Sequence, residues 1–184
     1  MDPSGYKERT YRERVVSRGL TSFQVAVKQT DLWVSARAPM TEETTTLILQ
    51  CRRQLETYIE DNPGFVTARS PWKSDPCAPP LVREMIQAAR MTGVGPMASV
   101  AGAIAQYVGQ GLLAKTDEVI VENGGDIFLK TNRPSTVSVF AGNSPLSERV
   151  GLLVREDRMP LGVCSSSGTV GHSLSLGVAD VVCL

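Results

Sequence analysis

Two neighbouring stretches decide the fold: Pro96-Met-Ala-Ser-Val-Ala-Gly-Ala-Ile-Ala-Gln-Tyr-Val-Gly109, then Val119-Ile-Val-Glu-Asn-Gly-Gly-Asp-Ile-Phe-Leu129. In the first, Ala98, Ala101, Gly102, Ala105 and Gly109 recur three or four residues apart, the spacing of one helix face. Small residues on that face let another backbone approach closely, so this is read as a central buried helix starting at Pro96. In the second, two apolar runs flank Asn123-Gly124, a strong hairpin signal because both residues tolerate positive φ.

Working outward, further short apolar runs follow at Val137–Phe140, Val150–Val154, Leu161–Cys164 and Val178–Leu184, separated by glycine, asparagine, proline or charged turns. Upstream, Thr10–Val16 and Phe23–Lys28 alternate apolar with polar, with turn chemistry between them at residues 17–22, and Thr30–Ala36 adds a third strand. Helical spacing of Leu47, Cys51, Leu55, Tyr58 and Ile59 predicts a helix capped by Thr41 and ended at Asn62-Pro63-Gly64. Phe65–Ala68 reads as a short strand, residues 70–80 as a proline-stiffened loop, and Pro80 as the first residue of the next helix. The expected class is α+β, with antiparallel or mixed sheets backed by helices rather than repeated βαβ units.

The chain has 184 residues, 42% hydrophobic and 21% charged, with nineteen basic residues balancing nineteen acidic ones. That size suits one domain, and zero net charge gives no field to draw it to nucleic acid or an anionic membrane. Residues 91–114 carry no charge, yet five glycines, Pro96, Gln106 and Gln110 make the run too weakly apolar for bilayer insertion. The first twenty residues are rich in Lys, Arg and Glu and lack an apolar core, so the expectation is a chain without a signal peptide, in a reducing cytoplasm. The basic residues there read as a solvated strand face. Cys51, Cys77, Cys164 and Cys183 form no C-x-x-C pair, and with His172 the only histidine no zinc site can be assembled.

Three places could carry chemistry. Gly93-Val-Gly95-Pro-Met-Ala98 matches a dinucleotide fingerprint on paper, but a helix rather than a strand precedes it. It is a tight corner between helices, or a helix start whose free N–H groups could hold an anion. Glu122-Asn-Gly-Gly-Asp126 is a hairpin turn bracketed by two acids that could meet a ribose hydroxyl, a ring N–H or a metal. Cys164-Ser-Ser-Ser-Gly-Thr-Val-Gly-His-Ser173 concentrates hydroxyls, two glycines and the histidine in one loop, which suits phosphate or carbonyl oxygens. A serine nucleophile with His172 as base, a Cys164 nucleophile, and a plain polar loop are the other readings of that segment.

Together, Tyr6-Lys-Glu-Arg-Thr-Tyr-Arg12, Thr30-Asp-Leu-Trp33, Gly93-Val-Gly-Pro-Met-Ala98, Ala101-Gly-Ala-Ile-Ala105, Val121-Glu-Asn-Gly-Gly-Asp-Ile-Phe128, Phe140-Ala-Gly142 with Ser144-Pro-Leu-Ser147, and Ser165-Ser-Ser-Gly-Thr-Val-Gly-His-Ser173 resemble a short prokaryotic family of unassigned function in the ApbE-like superfamily. The superfamily's flavin transferases bind FAD and magnesium and move FMN onto a threonine of a target protein. The resemblance implies that Asn123, Gly124 and Gly125, with Ser167, Gly168 and His172, line a nucleotide cleft. Three departures accompany it. Gln106-Tyr107 replaces the Lys-Gly that follows Gly-Ala-Ile-Ala, and Ser-Leu-Ser follows His172 in place of a segment ending in Asp-Pro. The helix that would supply a metal-binding carboxylate has no counterpart before Leu184, so no magnesium site is named and residues 1–184 read as one domain lacking its last helix.

The resulting expectation is a binder of FAD, FMN or another phosphate-bearing nucleotide. Asn123, Gly124, Gly125 and Asp126 would form one wall, and Ser165, Ser166, Ser167, Gly168, Thr169 and Gly171 would hold phosphate, with His172 donating to it or acting as acid or base. The alternatives are a modified FAD:protein FMN transferase, an accessory protein serving a redox partner in anaerobic redox or sulfur metabolism, and, last, a hydrolase using Ser165, Ser166 or Ser167.

Overall fold

The computed structural model describes Arg12 and residues 19–142, 144–166 and 181–183. A five-stranded antiparallel sheet runs in the order β1-β2-β3-β4-β7, built from Thr21–Val27, Thr30–Ala36, Val119–Asn123, Asp126–Lys130 and Leu161–Val163. The strands β5 (Ser135–Ser138) and β6 (Gly151–Val154) form a separate hairpin, and β8 (Ser165–Ser166) pairs with β9 (Val182–Cys183). Helices α1 (Thr41–Asp61), α3 (Pro80–Thr92) and α4 (Val100–Leu112) cover one face of the large sheet. The class is α+β.

Alternation of side chains sets what each face buries. Val25, Leu32, Val34, Ala36, Val119, Val121 and Phe128 turn toward the helices and meet Ile48, Leu55, Met85, Ile104 and Leu112 in the main core. The glycines of α4 allow the approach: a Cβ on Gly109 would lie 2.1 Å from Cδ1 of Phe128, and one on Gly111 2.6 Å from Cδ2 of Leu47. The expected small-residue face is therefore the packing face of the central helix. On the opposite face Ile120, Ile127, Leu129 and Val163 form a smaller cluster with Val137, Val154 and Met159.

Several expectations need correcting. The helix expected from Pro96 opens as a 3₁₀ turn over Pro96–Ser99, and regular α4 begins at Val100. Thr41 is the first helical residue rather than a cap, and the hydroxyls of Thr44, Thr45 and Thr46 instead donate back to carbonyls four residues earlier. Phe65–Ala68 is not a strand: Gly64–Thr67 forms one helical turn (α2), which puts Phe65 edge-on to Tyr58 and Trp72 at centroid distances of 5.1 and 5.5 Å. Aromatic contact outweighs the β propensity of a four-residue run there. The strand expected at Thr10–Val16 lies outside the described residues except for Arg12, and the last strand is described only at residues 181–183.

Candidate functional site

The two hairpin turns, Lys28-Gln29 between β1 and β2 and Gly124-Gly125 between β3 and β4, lie at the same end of the sheet. At the second, Gly124 and Gly125 take φ values of 64° and 106°, so the turn falls one residue later than the expected Asn123-Gly124, and Asn123 ends β3 paired with Asp126. Space also demands glycine at 125, because a Cβ would come within 2.7 Å of the Ser165 hydroxyl.

The polar residues bracketing this turn fasten it to its neighbours. Asn123 and Asp126 are register partners and turn toward α4. Asn123 Nδ2 donates to the Ala101 carbonyl at 3.0 Å. The Asp126 carboxylate lies against the start of α4 and beside Cys164: a Cβ on Gly102 would stand 3.4 Å from its Oδ2 and 3.7 Å from the Cys164 Sγ. Gly102 is in the first turn of α4, where N–H groups lack helical partners and a carboxylate is favoured by the helix dipole. Burial pushes the Asp126 pKa above its ordinary value, with a smaller push from Glu122, against the pull of the Ser165 and Gly102 backbone and the Cys164 thiol. Cys164 is exposed over much of its surface, but its thiol turns in beside Asp126, and burial with the nearby carboxylate raises its pKa to about 11. It stays a thiol at neutral pH, which removes support from its reading as a nucleophile.

On the other face of the sheet, Glu122 Oε1 accepts the Gly125 N–H at 3.0 Å while Oε2 receives Nε of Arg12 at 2.6 Å. Arg12 also donates to the side chain and carbonyl of Asp31. It is 5% exposed, which corrects the expectation of solvation at this position; the other basic residues of that run lie outside the described residues. Burial opposes its charge, but Glu122 and Asp31 outweigh that and hold the guanidinium more firmly protonated. The Ser165 hydroxyl donates to the Gly125 carbonyl at 2.9 Å, closing a chain of hydrogen bonds from Arg12 through the turn to the start of the serine loop. Ser166 is exposed beside it.

Of the sequence-predicted site residues, the structure therefore brings together Asn123, Gly124, Gly125, Asp126, Ser165 and Ser166. Ser167, Gly168, Thr169, Gly171 and His172 lie outside the described residues. Among the described residues no three His, Cys, Asp or Glu side chains are grouped to hold a metal ion.

Sequence reasoning missed a cleft of about 340 Å³ beside the turn, between α1 and α4. Leu55, Ile59, Met97, Val100 and Ile104 form its apolar wall, with Asn123 at its border and Thr30 and Arg52 also lining it. Arg52 is held by Thr30, Gln29 and Glu56. The helical spacing of Leu55 and Ile59 was visible in the sequence, but nothing marked them as facing a cavity rather than core.

A family model described as "AbpE bacteria" matches residues 12–184. The chain belongs to this family. Within the AbpE bacteria family's reach of similarity, a UPF0280 protein of Methanococcus aeolicus is 45% identical over 138 residues, covering 73% of this chain and 56% of that protein. One from Methanococcus vannielii is 39% identical over 167 residues, 89% of this chain and 68% of its own length. Another, from Methanothermobacter thermautotrophicus, is 48% identical over 136 residues, 73% of this chain and 52% of its length. The chain thus spans roughly half to two thirds of the relatives it matches. The AbpE bacteria match takes in Arg12, the Asn123–Asp126 turn and the whole serine loop. No described helix is long and apolar enough to cross a membrane.

Proposed function

We propose that this protein belongs to the ApbE-like superfamily and binds FAD, FMN or another phosphate-bearing nucleotide at the corner formed by α4, the Gly124-Gly125 turn and the start of the serine loop. The observation that carries this reading is the convergence of three segments distant in sequence on one turn: Asn123 on Ala101, Asp126 on Gly102, and Ser165 on Gly125. The hydroxyls that follow this turn supply donors for phosphate. Ser166 and, beyond the described residues, Ser167, Gly168, Thr169 and Gly171 would hold that phosphate, with His172 as a further donor or acid/base. A bound flavin would bring redox or group-transfer chemistry, and this chain's described residues would position it.

The position of the transferases' lysine supports binding over FMN transfer. Gln106 stands there, and its Nε2 donates to Glu84 on α3 at 3.1 Å, so no cation is presented from that site. Binding is tested by thermal denaturation with FMN and FAD. At a hundredfold excess over Kd, Tm should rise by about 5–10 °C, from roughly 2.7 kcal/mol of linkage. No shift with either ligand at 1 mM would sink the flavin reading. Incubation with FAD, magnesium and a threonine-bearing acceptor should release no AMP, and AMP release would restore the transferase reading.

A further inference from the structure

The cleft between α1 and α4 carries a second step. Its wall is almost wholly aliphatic, and Met97 supplies a flexible thioether that adapts to flat surfaces. A volume of about 340 Å³ accommodates a ring system but not a whole dinucleotide. Polar groups mark both ends. At one, Asn123 spends its amide N–H on Ala101, while its Oδ1 accepts no hydrogen bond among the described residues and is open to a ligand donor. At the other, the Thr30 oxygen accepts from Arg52, leaving its hydroxyl proton to donate. Lys28 and Arg52 both pair with Glu56 there, so these three side chains leave one positive charge in excess.

We propose that this cleft seats a planar heteroaromatic ring, its electron-rich carbonyl edge at Thr30 and Arg52 and a donor beside Asn123, with any phosphate-bearing chain leaving past Asn123 toward Ser165 and Ser166. This rests on the nucleotide reading above and gives the ring its place. The apolar wall removes the faces of the ring from water, and the two polar ends fix its direction in the cleft.

The test uses the full chain labelled at methionine and isoleucine δ1 methyls, with FMN as the probe and riboflavin as its phosphate-free counterpart. Intermolecular NOEs are expected from the flavin ring protons to Met97 and Ile104. The variant Val100→Phe, which fills the cleft from the half-buried start of α4, should weaken FMN by about tenfold or more. Wild-type NOEs keep the test valid should that variant fold poorly. If FMN binds without contacting those methyls and Val100→Phe leaves its affinity unchanged, the cleft assignment falls while the nucleotide reading stands. If riboflavin seats in the cleft and FMN binds no tighter, the cleft is upheld and the phosphate half of the nucleotide reading falls. Binding of neither probe overturns the cleft assignment and the flavin form of the nucleotide reading.

Discussion

The two faces of the central sheet are built on different physical terms. The helix-covered face is a continuous apolar core in which α4 gives up side chains so that its backbone lies against Phe128. The opposite face sets a small apolar cluster beside a buried ionic one, Arg12 with Asp31 and Glu122. Burial of apolar area is non-directional and tolerates modest repacking, whereas a buried ion pair is sensitive to position and costly to break singly. One face therefore supplies stability, and the other fixes where the Gly124-Gly125 turn sits.

The sharpest way to break that contrast is Gly109→Leu, which drives a side chain into Phe128 where even a Cβ falls 2.1 Å from ring carbon. Loss of the cooperative melting transition is expected, and partial recovery by combining Gly109→Ala with Phe128→Leu would locate the cause in this contact. Next is Arg12→Met, which takes the guanidinium away from the buried Glu122 carboxylate and should cost about 3 kcal/mol in urea unfolding. Adding Glu122→Gln should return much of that loss, and Arg155→Met at an exposed pair should leave the midpoint unchanged. If Arg12→Met behaves like Arg155→Met, the two faces are not different in kind.

Smaller effects follow at the turn. Gly125→Ala imposes a left-handed conformation and a contact with Ser165, at a cost of about 1–2 kcal/mol, and Ser165→Gly in the same chain should relieve the steric part. The smallest effect is a pH dependence. Asp126 has its folded pKa raised by burial, so the stability it contributes is complete below its unfolded value and is lost as pH rises through the folded one. Carboxyl NMR should show Asp126 titrating above ordinary aspartates while Asp117, held by Arg37, titrates below them. The variant Asp126→Asn should flatten the corresponding part of the stability profile.

Much of this was legible in the sequence because it is local. The spacing of Ala101, Ala105 and Gly109 encodes the packing face of α4, and the glycines after Asn123 encode a hairpin there, one residue later than Asn123-Gly124 suggests. Phe65 was misread because its partners Tyr58 and Trp72 become neighbours only when the chain folds back after α1. Arg12 was read as solvated for a similar reason: alternation reports a charge on a strand but not an acid far along the chain that would bury it. The acids of the turn were legible as unusual and not as structural. Glu122 and Asp126 looked free to meet a ligand, whereas one holds Arg12 and the turn, and the other lies against the first turn of α4 beside Cys164. The cleft was invisible because apolar spacing on α1 does not distinguish a side chain facing another side chain from one facing empty space.

The contact between Arg12 and Glu122 also orders events during synthesis. The two residues are separated by 110 positions. At about 5–20 residues per second, the arginine leaves the ribosome some 5–20 s before its carboxylate exists. Arg12 can bind Asp31 once β2 has emerged, but its bond to Glu122 must wait for the β3–β4 hairpin, so the contact that fixes the turn forms well after the one that first holds the arginine.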